Sequence, residues 1–481
     1  MAKKFYLTTA IPYVNAEPHI GFALELVQSD VIARYYKQQG KDVYFLTGAD
    51  ENSLKNVQAA EKEGMEVRDF VDRNTQRFID LTSTLNISND DFIRTTTKKH
   101  FEASQKIWQA CKPEDIYKKK YTGLYCVGCE TFYADKELVN NKCPEHLTEP
   151  DVVEEENYFF KLSNYQNNLI ELIESDKYKI TPQSRKNEVL SFIKMGLQDF
   201  SISRSVKRAK NWGVPVPDDK SQVMYVWFDA LTNYISALDY SGDQKLYKKY
   251  WPADVHIIGK GIIRFHAVYW PAMLLSAGIP LPKELFVHGY INIDGQKISK
   301  SLGNVINPFD LVEKYGVEPL RYHLLRYVHP VQDSDFTIKH FEESYNADLA
   351  NGLGNLVNRV SNLVEQGGIK IKNNRTKNNH KLTKEIEKLM QEYAFDSVLK
   401  LIWQEISKLD KLINDTKPWM LAKEGKTKEL EKVLTLAVHG IINIGNNIEP
   451  FLPQTSEKII KQFSAKNIKK QKALFPRIDT Q

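Results

Sequence analysis

This 481-residue chain has few cysteines, no long apolar run and little net charge, and each shortage excludes something. Its four cysteines, Cys111, Cys126, Cys129 and Cys143, are too few to staple a fold of this length by disulfides. No apolar stretch approaches the ~20 residues needed to cross a bilayer. Met1–Tyr6 runs straight into a strand pattern without the apolar core of a signal peptide. The expectation is a cytoplasmic protein that does not span a membrane. No internal repeat is present, which excludes a solenoid. Formal net charge is only +5, but it is unevenly placed. Residues 351–481 hold 23 Lys and Arg against 14 Asp and Glu, whereas the first 350 hold 43 against 47. A basic last third on a near-neutral body is the footprint expected of a polyanion-binding surface.

A chain this long should form several domains around more than one core. Phe5–Ala10 reads as a strand, a loop through Pro12, Asn15 and Pro18 follows, and a helix starts near Gly21. Leu24, Val27, Val31, Ile32, Tyr35 and Tyr36 recur at helical spacing up to Gly40, and Val43–Gly48 reads as a second strand. Strand, helix and strand at this spacing begin a doubly wound parallel sheet, whose ligands bind beyond the C-terminal strand ends. From about Cys111 to Tyr225, short strands and turn residues suggest an insertion. The parallel pattern is expected to resume at Val223–Trp227, Val255–Gly259 and Leu285–Gly289. Helical periods then cover 349–365, 381–415, 428–448 and 454–463, around a solvated linker at Lys370–Asn379. The fold class is α/β, a doubly wound Rossmann-type sheet with an insertion, followed by an all-α bundle.

Three clusters carry chemistry. Cys126-Val127-Gly128-Cys129 and, thirteen residues on, Cys143-Pro144-Glu145-His146 have paired-knuckle spacing. Three thiolates and an imidazole suit one closed, structural zinc site with no position left for water. Cys111 stands apart and reads as a core residue. Pro18-His19-Ile20-Gly21 lies at a strand-to-helix turn, where backbone N–H groups and the helix dipole favour an anion. Lys297-Ile298-Ser299-Lys300-Ser301 sits in a polar loop nearly three hundred residues later. The pair makes sense if both meet on one polyphosphate, with Lys297 and Lys300 supplying charge where pyrophosphate departs.

These clusters resemble the signature pair of class I aminoacyl-tRNA synthetases, and the methionyl family of that class in particular. The likeness extends through Ala10–Asn15, Val226–Ala230, Phe265–Leu274, Phe286–Tyr290, Asn355–Arg359 and Lys417–Trp419. It implies a ligase that uses ATP with Mg2+ to activate L-methionine and transfers it to tRNA(Met). His19, Lys297 and Lys300 would be catalytic, and these three with Gly21 and Gly259 would bind ATP. Methionine would lie among Ala10, Ile11, Tyr13, Trp227, Ala230, Leu231, Tyr234, Ile262, His266 and Trp270, with Asp50 on its ammonium. Sulfur–aromatic contacts, about 0.3–1.5 kcal/mol each, suit a thioether there. Asn355, Arg359 and Trp419 would read the anticodon by edge contacts and stacking.

The resemblance divides the chain into a first catalytic half at 1–110, the zinc-bearing insertion at 111–225 and a second catalytic half at 226–275. A lysine-loop and tRNA stem-contact segment follows at 276–350, and the anticodon-binding helices at 351–481. A monomer is expected. The insertion is too short for the editing module of the branched-chain ligases. Three departures fall at the nucleotide side: Phe22 stands where the signature has His, Asn52-Ser53 where the family has His-Gly, and Gly261 where an acidic residue is usual.

Overall fold

The computed structural model describes residues 3–128, 131–133, 135–144, 147–297, 305–371 and 380–479. They form two compact units, one of Met1–Pro18, Gly40–Ser83 and Ile87–His288, the other of His19–Gln39, Thr84–Asn86 and Gly289–Gln481.

The first unit is built on a six-stranded parallel sheet. Across it run Asp91–Arg94, Asp42–Ala49, Lys4–Thr9, Val255–Gly259, Glu284–His288 and Lys179–Thr181. Phe5 to Thr9 are all buried, as expected where a parallel strand is covered on both faces. The strand order turns outward in both directions between Lys4–Thr9 and Val255–Gly259, so a switch-point crevice lies at their C-terminal ends. Gly48 is needed just ahead of that edge. A Cβ there would lie 2.3 Å from the Ile93 carbonyl oxygen, so any larger residue would push the neighbouring strand away.

The segment read as an insertion supplies the edge strand Lys179–Thr181 and two antiparallel sheets. In the larger, Ile116–Cys126 pairs with Asp151–Phe160 along almost its whole length, flanked by Thr131–Tyr133 and Phe200–Ser201. The smaller contains Pro215–Val216, Asp219–Met224 and Ser203–Ser205. Here one expectation fails. Val223–Trp227 does not resume the parallel sheet: its strand is antiparallel and ends at Met224, and Val226–Leu231 is helical. A short apolar run has no period by which strand and buried helix can be told apart. Cys111 is 4% exposed, and burial pushes its thiol up to about 12.

In the second unit Ile20–Gln38 is a helix whose buried face includes Asp30. Arg321, on the helix Val317–Arg326, meets Asp30 at 2.7 Å, and both side chains are 0% exposed. The guanidinium also donates to the carbonyls of Leu85, Pro450 and Phe451, so its charge and donors are matched. From the same helix, Glu318 accepts from the backbone N–H groups of Gln454 and Thr455 at 2.6 and 2.8 Å. That is a carboxylate capping the helix Pro453–Phe463 at its positive end. The period read through 381–415 breaks into His380–Gln391 and Phe395–Thr416, because Tyr393 adopts a left-handed φ of 57°. Thr427–Ile448 and Pro453–Phe463 fall close to where the period puts them. The first helical period begins as a π-helical stretch, Tyr345–Gly354, and becomes α-helical at Asn355–Gly367. Among the described residues no helix is long and apolar enough to cross a membrane.

Candidate active site

Asp50 follows directly on the strand Asp42–Ala49 and is 2% exposed. Its N–H donates to the Pro12 carbonyl at 2.8 Å, and a parallel bridge joins it to Tyr13. The loop after Lys4–Thr9, which carries Ala10 and Ile11, is thereby fastened to the acidic residue. Its Oδ1 accepts from the Asn52 N–H at 3.1 Å and lies 3.5 Å from the Thr95 hydroxyl.

An aromatic group surrounds this corner. Tyr13 meets Trp227 edge-on at 6.4 Å between centroids, and Trp227 meets His266 edge-on at 6.2 Å. Tyr234 lies 5.8 Å from His266 and 6.1 Å from Trp270. Five of the expected methionine contacts are thus brought into one chain of rings. Ala10, Leu231, Tyr234 and Trp270 are buried in the same apolar cluster, with Ile11, Trp227 and Ile262 packed on its edge. Ala230, 3% exposed, lies on the helix that carries Trp227. The rings are also held from behind. His266 Nδ1 lies 3.0 Å from the Ile262 carbonyl, which can only accept, so Nδ1 carries the proton. Nε2 then accepts from the Tyr234 hydroxyl at 2.7 Å. The Tyr6 hydroxyl donates to the Tyr234 carbonyl, and that of Tyr178 to the His266 carbonyl, each at 2.8 Å. Burial pushes His266 down to about 4, so it is neutral near pH 7.

Two neighbours escape sequence reasoning. Phe265 stacks flat on Trp227 at 3.8 Å, on a π-helical turn, Phe265–Tyr269, that no local sequence signal marks. His256 lies 4.1 Å from the Tyr234 ring, and its alternating strand position gave only a core reading. Behind Asp50, Asn52 donates through Nδ2 to the Thr95 carbonyl at 3.0 Å and to Asp229 Oδ2 at 3.3 Å.

The phosphate-type residues are built differently. His19 is the N-cap of Ile20–Gln38, with Nδ1 accepting from the Gly21 N–H at 3.0 Å. A Cβ on Gly21 would come within 2.8 Å of the imidazole, so glycine there makes room for the cap. The Ile20 N–H donates to the Ile306 carbonyl at 3.2 Å, which ties this turn to the chain just beyond the lysine loop. The backbone of Lys297 pairs with Asn292, while Lys300 lies outside the described residues. Gly259 ends its strand at the switch point.

Of the four expected metal ligands, Cys126 and Cys143 are 1% and 0% exposed, and Cys129 and His146 lie outside the described residues. Cys126 pairs with Thr131 at the end of a hairpin. The Cys143 N–H donates to the Thr148 carbonyl at 2.9 Å, and its carbonyl accepts from the Leu147 N–H at 2.8 Å. These bonds close a tight loop around 144–146. Among the described residues no three His, Cys, Asp or Glu side chains form a metal-holding group. Two buried thiols, each at a tight backbone reversal, fit a zinc knuckle.

Asn355 and Arg359 share one helix four residues apart, and the Arg359 guanidinium lies 5.2 Å over the Trp419 ring. Arg359 also pairs with Asp410 at 3.2 Å. Trp419, 37% exposed on the short helix Pro418–Lys423, is not a buried cap. All three expected base-reading residues therefore belong to the helical unit.

Comparison with known proteins agrees with this geometry. The family model described as tRNA synthetases class I (M) matches residues 5–151 and 136–361, and that of the anticodon-binding domain of tRNA ligase matches 376–479. The chain is 42% identical to the methionine–tRNA ligase of Thermotoga maritima, over 96% of this chain and 75% of that protein. It is 43% identical to that of Brucella melitensis, over 98% and 93%. The Mycobacterium tuberculosis methionyl-tRNA synthetase, solved in complex with methionyl-adenylate, superposes with a TM-score of 0.92 at 37% identity. That match covers 99% of this chain and 100% of the other. Sheet, insertion and helical region thus place the chain among the class I aminoacyl-tRNA synthetases. Within that class it belongs to the methionine–tRNA ligase family.

Proposed function

We propose that this chain activates methionine with ATP and passes it to tRNA(Met), using the residues assembled above. The observation that carries this reading is Asp50, a buried carboxylate beside a ring-lined apolar corner at the sheet's switch point. It offers one anion for an α-ammonium and soft walls for a thioether. The walls are Ala10, Ile11, Tyr13, Trp227, Ala230, Leu231, Tyr234, Ile262, His266 and Trp270. With its ammonium on Asp50, the methionine carboxylate attacks the α-phosphate of ATP and pyrophosphate leaves. Positioning and charge stabilisation suffice for such a step, without a protein nucleophile. His19, Gly21 and Gly259 hold the nucleotide, Lys297 and Lys300 stabilise the departing pyrophosphate, and Mg2+ arriving with ATP adds further positive charge. In the second step a ribose oxygen of the tRNA bonds to the methionyl carbonyl carbon. The bond to AMP breaks, and AMP leaves with the electron pair. The test is methionine-dependent exchange of labelled pyrophosphate into ATP. Exchange without tRNA is expected, and its absence in folded protein overturns the reading.

The reading carries the domain division with it: catalytic halves at 1–110 and 226–275, insertion at 111–225, lysine-loop segment at 276–350 and anticodon-binding helices at 351–481. A cytoplasmic monomer is part of it. One structural zinc would be held by Cys126, Cys129, Cys143 and His146, supplying a rigid cross-link to the insertion. Cys143→Ser should lower zinc content below one per chain and loosen the insertion to proteolysis. Metal analysis finding no zinc in unsubstituted protein purified without chelator would sink the assignment.

Asn355, Arg359 and Trp419 would read the anticodon, with lysines of 351–481 supplying salt-sensitive phosphate contacts. Trp419→Ala should remove a stacking platform worth about 1–3 kcal/mol per base. Charging of tRNA(Met) should fall about ten- to a hundredfold while tRNA-independent exchange stays near its original rate. Equal charging of tRNA with intact and altered anticodons by the unsubstituted chain would overturn the role.

A further inference from the structure

Beside Asp50, on the side of the inserted segment, lies a pocket of about 370 Å³ that the two-step scheme leaves unused. Asn52 and Leu54 line it from the sheet loop, and Tyr125, Arg208, Trp212 and Tyr225 from the insertion. Its aromatic walls are fixed. The Trp212 indole N–H donates to the Glu51 carbonyl at 2.7 Å, and the Arg68 guanidinium lies 5.3 Å from the indole ring. Arg208 lies 4.5 Å over the Tyr125 ring.

Two polar atoms of this lining are buried without a hydrogen-bond partner among the described residues, Asn52 Oδ1 and Arg208 Nε. Asn52 is 6% exposed, and the two contacts of its Nδ2, to Thr95 and Asp229, fix which way the amide faces. Its Oδ1 is therefore a set acceptor, and such an atom is costly to leave unmatched. An acceptor, a donor and flat walls together suit a base with an exocyclic amine beside a ring nitrogen. Adenine has both, whereas guanine and uracil would turn a carbonyl toward Oδ1.

The location selects which adenine. The Asn52 N–H donates to Asp50 Oδ1, so the pocket abuts the residue assigned to the methionine ammonium. The nucleotide whose ribose attacks the methionyl carbonyl must rest its base within a nucleotide's length of that point. ATP, by contrast, is assigned to the strand ends and the His19 turn, while this pocket takes most of its wall from the insertion. We propose that the pocket binds the adenine of the tRNA's 3′-terminal nucleotide during methionyl transfer, with Asn52 Oδ1 accepting from its amino group and Arg208 donating to a ring nitrogen. Asn52 stands where the family usually has histidine. An amide does not titrate, so the recognition should not vary between pH 6 and 8.

The inference rests on the ligase reading, and the experiment separates the two. Methionyl-adenylate is formed on the full chain. Its single-turnover transfer is followed to tRNA(Met) ending in adenosine or in nebularine, which lacks the amino group. The unsubstituted chain should transfer to the nebularine end about tenfold more slowly, as expected for one lost hydrogen bond. With Asn52→Ala the two tRNAs should react within about twofold of each other, whatever the absolute rate. Arg208→Ala should slow both and preserve the gap. Equal rates on the unsubstituted chain, a tenfold gap that survives Asn52→Ala, or unchanged transfer by Arg208→Ala would each overturn the proposal. A parallel exchange assay with purine riboside triphosphate in place of ATP covers the other source of adenine. If Asn52→Ala erases discrimination there, the pocket belongs to ATP and the proposal fails. Absence of any exchange by the unsubstituted chain would overturn the ligase reading as well, whereas the other failures leave it standing.

Discussion

Arg321→Ala should cost the helical unit about 3–5 kcal/mol, the penalty for breaking a buried pair from one side. Arg321 and Asp30 are both 0% exposed at 2.7 Å, and the same guanidinium satisfies the carbonyls of Leu85, Pro450 and Phe451. Alanine would leave those acceptors without their donor and Asp30 with Arg34 as its remaining printed ion-pair partner. The main thermal transition should fall by about 10 °C or more. Replacing both members, Arg321→Met with Asp30→Leu, should recover much of that loss, because two neutral groups leave no stranded charge. If the single and double variants melt alike, the pair itself is not the source. The effect should reach activity too, since Asp30 lies on the helix that His19 caps.

Asp50→Asn should raise the methionine concentration needed for half-maximal pyrophosphate exchange by about thirty- to a thousandfold. Losing one partner of a desolvated charge pair typically costs about 2–5 kcal/mol. Asparagine keeps the shape and can still accept from the Asn52 N–H, so the change isolates charge from scaffold. The KM for ATP should move much less. A methionine KM within threefold of the original would remove Asp50 from the ammonium site.

What could be read from the residues followed from local periodicity and spacing. The strands Lys4–Thr9 and Asp42–Ala49 were legible because their apolar runs are bounded by turn residues. The cap at His19 was legible because a Pro-His-Ile-Gly turn has its own chemistry, although the bond from Ile20 to Ile306 that fastens it to the lysine loop is set by tertiary packing. Val223–Trp227 misled because apolarity without period fits either state. The break at Tyr393 was invisible because a left-handed tyrosine leaves no mark on a hydrophobic pattern. In the aromatic corner, family resemblance identified Trp227 and His266, but not Phe265 or His256, whose parts come from a π-helical turn and a cross-strand neighbour. Nothing in the linear order announces that Arg321 will find Asp30, which only packing can bring together.

The burial of Cys111 has a practical consequence for chemical labelling. A thiol 4% exposed and pushed up to about 12 has almost no thiolate at pH 8 and little access for a reagent, so it should alkylate very slowly. Any fast modification of the native chain should therefore arise from the remaining three cysteines. A colorimetric thiol reagent added after a chelator would count the knuckle sulfurs as they are uncovered, against a background that the fold itself keeps silent.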